Sequence, residues 1–191
     1  MISLKIDFSL IIKKFLGQSI ILDLIDIINA IICQNQLNRL RRNGNISASA
    51  IFLGNNIKIS HPESITIGEC TVLHDHTYLF TKGGLTIGHH VHLARGITIF
   101  TCNHNFKSNE FIPYGKDDIM KPVKIEDCVW IGANVSIIPG VTIEEGSIVG
   151  MGTVVSRNIP KGAIVGGNPA KIIGNRDMKT YERLKKEGKF Y

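Results

Sequence analysis

From Ile125 to Ile159 the chain reads IEDCVWIGANVSIIPGVTIEEGSIVGMGTVVSRNI, and an aliphatic residue returns at every sixth position: Ile125, Ile131, Ile137, Ile143, Val149 and Val155. Four residues after each comes a second small or branched residue: Val129, Val135, Val141, Ser147, Thr153 and Ile159. An α-helix cannot use a strict period of six, because steps of roughly 100° per residue carry the apolar position around the axis. Short flat strands joined by corners can use it, with one side chain pointing inward per face and a small one at each turn. The pattern predicts a parallel β-helix in which three hexads make one triangular coil, and coils stack at about 4.8 Å. Six consecutive hits in phase weigh against a β-sandwich with coincidental spacing.

Upstream the same pattern is less clean. Ile67, Leu73 and Leu79 are six apart, Lys82-Gly83-Gly84 shifts the register by two, and the period resumes at Ile87, Leu93 and Ile99. The matching second positions are Thr71, Thr77, Val91 and Ile97. Between residues 102 and 122 the period vanishes, in a stretch that includes His104, Asn105, Pro113 and Gly115. A non-repeating insertion between two repeat blocks predicts a loop leaving the solenoid, where binding sites often lie.

The rest of the composition fits one domain with appendages. The 191 residues are 43% hydrophobic and 20% charged, which argues against disorder. Nineteen glycines and only 7% aromatics lean towards β-structure with many corners and an Ile/Val core. The net charge of +6 suits a site for a phosphorylated cofactor as well as it suits nucleic acid. No nucleic-acid motif, Walker loop or Rossmann glycine motif accompanies it. Cys33, Cys70, Cys102 and Cys128 are scattered singly and read as reduced thiols of a cytoplasmic protein.

At the N-terminus, residues 1–45 are expected to be a helical segment. Ile20, Leu24, Ile27, Ile28 and Ile31 share one face, and Arg39, Arg41 and Arg42 make its end basic. Asp23 and Asp26 interrupt the apolar run, so a spanning helix is not expected. A cap over the open end of the solenoid is favoured over a membrane-surface helix. Residues 46–173 are assigned to the β-helix, with its loop at 102–122. Residues 174–191 form a tail with a short amphipathic helix carrying Met178, Tyr181 and Leu184.

The segments Pro122-Val123-Lys124-Ile125, Val129-Trp130-Ile131-Gly132, Pro139-Gly140-Val141-Thr142-Ile143 and Gly166-Gly167-Asn168-Pro169-Ala170-Lys171 resemble the hexapeptide-repeat acyltransferases. Within that family they are most similar to the sugar, galactoside and xenobiotic O-acetyltransferases, over roughly residues 57 to 173, about two-thirds of the chain. The resemblance implies a left-handed β-helix, a homotrimer with active sites between subunits, and acetyl-coenzyme A as donor. It places the general base at His104, since a sugar hydroxyl is hardly ionised at neutral pH and a neutral imidazole can take its proton. It implies donor contacts from Trp130, Ala133, Gly150, Met151, Ser156, Arg157 and Lys171, the last two meeting phosphate charge. The family's acceptor-orienting asparagine, thirty residues ahead of the base, is replaced here by His74, with Asp75 and His76 alongside. A family basic residue beyond Lys171 is replaced by Gly174, with Arg176 nearby.

The function expected is acetyl transfer to a hydroxyl of a sugar or surface-polysaccharide precursor, with no metal and no nucleic acid. Acetylation of an antibiotic or other xenobiotic, or of an amino sugar, is the runner-up. A zinc enzyme similar to the γ-class carbonic anhydrases is raised by His74-Asp75-His76 and His89-His90-Val91-His92, and a non-catalytic trimeric scaffold is the remaining alternative. Cys102 as a nucleophile is disfavoured, since no second activating group accompanies it in the sequence.

Overall fold

A computed structural model describes residues 24, 28, 31, 35, 38, 40–42, 44–54 and 56–191. The hexads build a parallel β-solenoid of about six turns with three sheets. Sheet I stacks β1 (Asn45–Ile46), β4 (Ile65–Ile67), β7 (Leu85–Ile87), β12 (Val123–Ile125) and β15 (Thr142–Ile143). Sheet II stacks β2 (Ile51–Leu53), β5 (Val72–His74), β8 (His92–Leu93), β13 (Trp130–Ile131), β16 (Ile148–Val149) and β18 (Ala163–Gly166). Sheet III stacks β3 (Lys58–Ser60), β6 (Tyr78–Phe80), β9 (Thr98–Phe100), β14 (Ser136–Ile137) and β17 (Val154–Val155).

Lead residues pair with lead residues across the coils, as in Ile87 with Ile125 and Ile125 with Ile143. Every lead and every second position named from the sequence is buried. Each enclosed Ile or Leu contributes about 1.5–3 kcal/mol through removal from water. Buried hydroxyls at second positions bond within their own corner: Thr77 Oγ1 donates to His74 O, Ser147 Oγ to Glu144 O and Thr153 Oγ1 to Gly150 O, each at 2.7 Å. A polar atom inside the bore therefore keeps a partner.

The residue just before many second positions turns the corner in the left-handed region. Glycine fills it at Gly140 and Gly146, but Cys70, His76, His90, Cys128 and Asn134 occupy it too, with φ between 53° and 57°. The core cluster is aliphatic, with Phe52 packed at its edge. Exposed aromatics include Tyr78 and Phe100 on sheet III, Phe106, Phe111 and Tyr114 in the excursion, Trp130 on sheet II, and Phe190 and Tyr191 in the tail.

The departures from period six concentrate at one corner. From sheet I to II and from II to III, coils 2 to 5 keep six residues, as in Ile67 to Leu73 and Leu73 to Leu79. From sheet III back to I, Ile59 to Ile67 and Leu79 to Ile87 are eight apart, and Ile99 to Ile125 holds the long excursion.

At the C-terminal end the chain folds back after residue 170. β19 (Lys171–Asn175) runs antiparallel to β18, so sheet II continues two residues past the boundary drawn at residue 173. Helix α1 (Met178–Lys186) follows, its first turn capped by the Asp177 carboxylate, which accepts from Lys179 N at 3.0 Å and Thr180 N at 3.2 Å. Tyr181 docks it, donating to Glu145 Oε1 at 2.8 Å, and burial pushes the phenol well up from its ordinary value. Burial works to raise the Glu145 carboxyl as well, but bonds from Lys185 and Tyr181 hold it below the usual range.

Most of the N-terminal segment lies outside the described residues. Leu40 is buried in the core cluster, and Arg41 donates to Ala48 O and Ala50 O at 3.2 and 3.1 Å. No helix among the described residues is long and apolar enough to cross a membrane.

Candidate active site

The excursion opens and closes as a two-stranded antiparallel ribbon, β10 (Cys102–His104) and β11 (Asp118–Met120). Its register sets Cys102 opposite Met120, Asn103 opposite Ile119 and His104 opposite Asp118. Successive strand residues face opposite sides, so His104 and Asp118 share one face while Asn103 and Ile119 share the other.

His104 Nδ1 lies 2.9 Å from Asp118 Oδ1. Lys82 Nζ donates to the other carboxylate oxygen, Oδ2, at 2.6 Å. The Tyr114 ring stacks on the imidazole with centroids 4.0 Å apart and planes 12° apart. The Lys82 ammonium, and secondarily His104, hold the Asp118 carboxyl below the usual carboxylate range, and Asp118 in turn raises Lys82. An ionised carboxylate only accepts, so the proton of neutral His104 sits on Nδ1 and Nε2 keeps its lone pair. The His104 side chain is 58% exposed, which leaves room for an incoming hydroxyl.

Asp118, Lys82 and Tyr114 escaped the sequence reading. The register slip at Lys82-Gly83-Gly84 was a signal for the second of these. Nothing periodic marks Asp118, fourteen residues from its partner. Cys102 is buried, and desolvation pushes its thiol up, which opposes a thiolate nucleophile.

The remaining sequence-predicted residues occupy other places in the chain. His74, Asp75 and His76 form the corner between sheets II and III in coil 2, where Asp75 Oδ2 is 2.8 Å from His76 Nδ1. Ala133, Gly150 and Met151 lie on the same corner two and three coils on. That corner is open: Met151 is 76% exposed, and a Cβ built on Gly152 meets nothing within 4 Å. Ser156 and Arg157 follow β17, on the corner between sheets III and I that also bears the ribbon, and Lys171 opens β19. Both Arg157 and Lys171 are exposed, and neither has an ion-pair partner among the described residues.

Trp130 projects from β13 into a cavity of about 420 Å³ shared with His92, Arg176, Tyr181 and Phe190. A cavity of about 620 Å³ lies between the ribbon and sheet III, lined by Phe100, Asn103, Phe106, Ile119, Lys121 and Ile138. Cys102, Asn103 and Ile119 are the ribbon-strand residues that line it; His104 and Asp118 do not. The other histidines are engaged separately. His89 Nδ1 accepts from Glu69 N at 3.0 Å, and the His90 ring stacks on Phe190 at 3.9 Å. No group of three His, Cys, Asp or Glu side chains placed to hold a metal occurs among the described residues.

Residues 122–157 match the model of the bacterial transferase hexapeptide family (six repeats). A galactoside O-acetyltransferase of Lactococcus lactis is 36% identical over 103 residues, 52% of this chain and 49% of that protein. A maltose O-acetyltransferase structure from Clostridium difficile 630 superposes with TM-score 0.67 and 29% identity, over 75% of this chain and 76% of that one. The hexapeptide-repeat acetyltransferase VCA0836 from Vibrio cholerae, solved with acetyl-coenzyme A, gives TM-score 0.64 and 27% identity over 77% and 82%. The matched stretches span 42% to 63% of the length of the first curated relatives.

Proposed function

We propose, from the premise that this chain belongs to the hexapeptide-repeat family of bacterial transferases, that it is an acetyltransferase carrying acetyl from acetyl-coenzyme A to a sugar or surface-polysaccharide hydroxyl. The observation that carries the reading is the His104–Asp118 pair on the exposed face of the ribbon. A hydroxyl is a poor nucleophile until its proton is taken, and His104 Nε2 is the group with a lone pair free to take it. The acceptor oxygen then bonds to the acetyl carbon as the carbon–sulfur bond breaks, and His104 returns the proton to the leaving thiolate. Asp118 keeps the ring oriented and stabilises the imidazolium between the two proton transfers.

The donor fits the open corner between sheets II and III. Ala133, Gly150 and Gly152 keep side chains low there, so an extended arm can lie along the corner beside the exposed Met151; the Gly150 and Gly152 amides and the Ala133 and Gly150 carbonyls are themselves paired within the solenoid. Trp130 would face the acyl end, and Ser156, Arg157 and Lys171 would meet the nucleotide phosphates. His74, Asp75 and His76 are assigned to the acceptor. In one chain the ribbon and the open corner stand at different vertices of the triangle. We place the complete site between neighbouring copies of a homotrimer, working in the cytoplasm, with the base from one copy and the donor corner from the next.

The test is thiol release from acetyl-coenzyme A against a panel of glycosides, nucleotide sugars, polysaccharide repeats, amino sugars and alcohol antibiotics. Release that requires a sugar hydroxyl is expected. No release with any acceptor, together with no thermal stabilisation by acetyl-coenzyme A, would overturn the reading.

A further inference from the structure

The two-residue slip at Lys82-Gly83-Gly84 and the excursion that begins at residue 102 occupy the same corner in consecutive coils. They are built on one another through Thr101, which is fully buried. Thr101 Oγ1 accepts from Gly83 N at 2.8 Å, and Thr101 O accepts from Lys121 N at 2.8 Å, at the base of the ribbon. A Cβ on Gly83 would stand 1.9 Å from Thr101 O, so the slip can lie against the ribbon only with glycine there. The residue that this slip delivers to the ribbon is Lys82.

We infer that Lys82 is a positioning residue for the His104 base: it holds the outer oxygen of Asp118, so that the inner oxygen stays on His104 Nδ1. The contacts set the geometry. Asp118 is clamped from two sides, by Lys82 from the coil below and by His104 from the paired strand, and its side chain is only 16% exposed. A carboxylate with one partner can swing about its terminal torsion, which is broad. With both oxygens engaged it cannot, and the ring it orients is fixed in tautomer and angle.

Lys82 also acts electrostatically. Its positive charge holds the Asp118 carboxyl below the usual carboxylate range, so that Asp118 stays ionised and can only accept from Nδ1–H. The titratable or charged groups recorded around the pair are Asp118 and Tyr114 from the excursion, Cys102 on the same strand, and Lys82. Of these, Lys82 is the cation.

This inference rests on the proposed role of His104, but its test does not need turnover. The ring nitrogens of His104 are followed by NMR across pH in the whole protein, for wild type, Lys82→Met and Lys82→Arg. Removing the ammonium should loosen the Asp118 clamp, so that the two nitrogens of the neutral ring, distinct in wild type with the proton on Nδ1, move towards each other in chemical shift, and Arg, which keeps charge and donors, should restore their separation. In Lys82→Met kcat should fall by about 10-fold with little change in KM. An unchanged separation in Lys82→Met would overturn the inference, as would Arg behaving like Met. Wild-type protein that transfers no acetyl group would instead refute the catalytic reading while leaving the nitrogen shifts interpretable.

Discussion

Two corners of the same triangle are built to opposite specifications. Between sheets II and III the chain turns with six residues per face from coil 2 through coil 5, and in coil 5 the corner carries the exposed Met151 and open space at Gly152. Between sheets III and I it takes extra residues in three successive passages, and there it carries charge, a stacked aromatic ring and the His104 ribbon. The solenoid tolerates this because each coil's core needs only its lead and second residues, and what leaves the corner is outside the bore. Regularity therefore leaves an even corner, and irregularity brings His104, Asp118 and Lys82 together.

The comparison can be broken most sharply at the ribbon. His104→Ala should lower kcat by about 10³-fold while the melting temperature barely moves, because the side chain is 58% exposed and its ring stacks on Tyr114 at the surface. A steady-state assay beside a thermal melt checks both halves.

The bore should answer in the reverse sense. Ile131 is fully buried between Leu93 and Val149. Ile131→Ala should cost about 3 kcal/mol in urea unfolding, mostly from the cavity left in a core with no flexible filler. Below the urea transition, activity per folded molecule should remain near that of wild type.

Asp118→Asn is expected to sit between these extremes, with a roughly 10- to 100-fold loss of kcat and little change in KM. The amide can present a donor to Nδ1 and so favour the wrong tautomer. Its pH behaviour has a definite sign. The Asp118 carboxyl lies below its ordinary value in the folded state, so the clamp's contribution is present above the unfolded pKa of about 3.9 and is lost as pH falls through the lower folded value. Stability between pH 5 and 8 should therefore be insensitive to this group, as a series of melts would show.

A pair of glycine replacements compares the corners directly. Gly83→Ala drives a methyl into Thr101 O and should cost about 2 kcal/mol, together with activity. Gly152→Ala, at the open corner, meets no atom and should cost only the backbone strain of its φ of +71°, about 1 kcal/mol. Equal losses at the two sites would remove the distinction drawn between the corners.

What the sequence revealed followed the same division. The bore was legible because its constraint is one-dimensional: Ile125 through Val155 must recur in step with the coil, and all are buried. Of the His104–Asp118–Lys82 cluster, only His104 was marked in the sequence, by resemblance and not by periodicity. Its partner Asp118 is joined by an antiparallel pairing that leaves no repeat in the sequence. Lys82 showed as a broken period without showing what the break was for. The histidine count was misleading for a related reason. His76 and His90 adopt φ near 55°, so part of what looked like ligand clustering is residues placed at solenoid corners.

The central claim is that the reactive corner of one copy meets the open corner of another. It is tested most directly by mixing two inactive variants, His104→Ala and the double change Ala133→Trp with Met151→Trp, through denaturation and joint refolding. Random assembly into trimers gives an intact ribbon facing an intact donor corner at about a quarter of interfaces, so about a quarter of wild-type activity should return. Each variant refolded alone should stay inactive. If the mixture is as inactive as its components while gel filtration shows mixed trimers, the site is complete within one chain and the account is wrong.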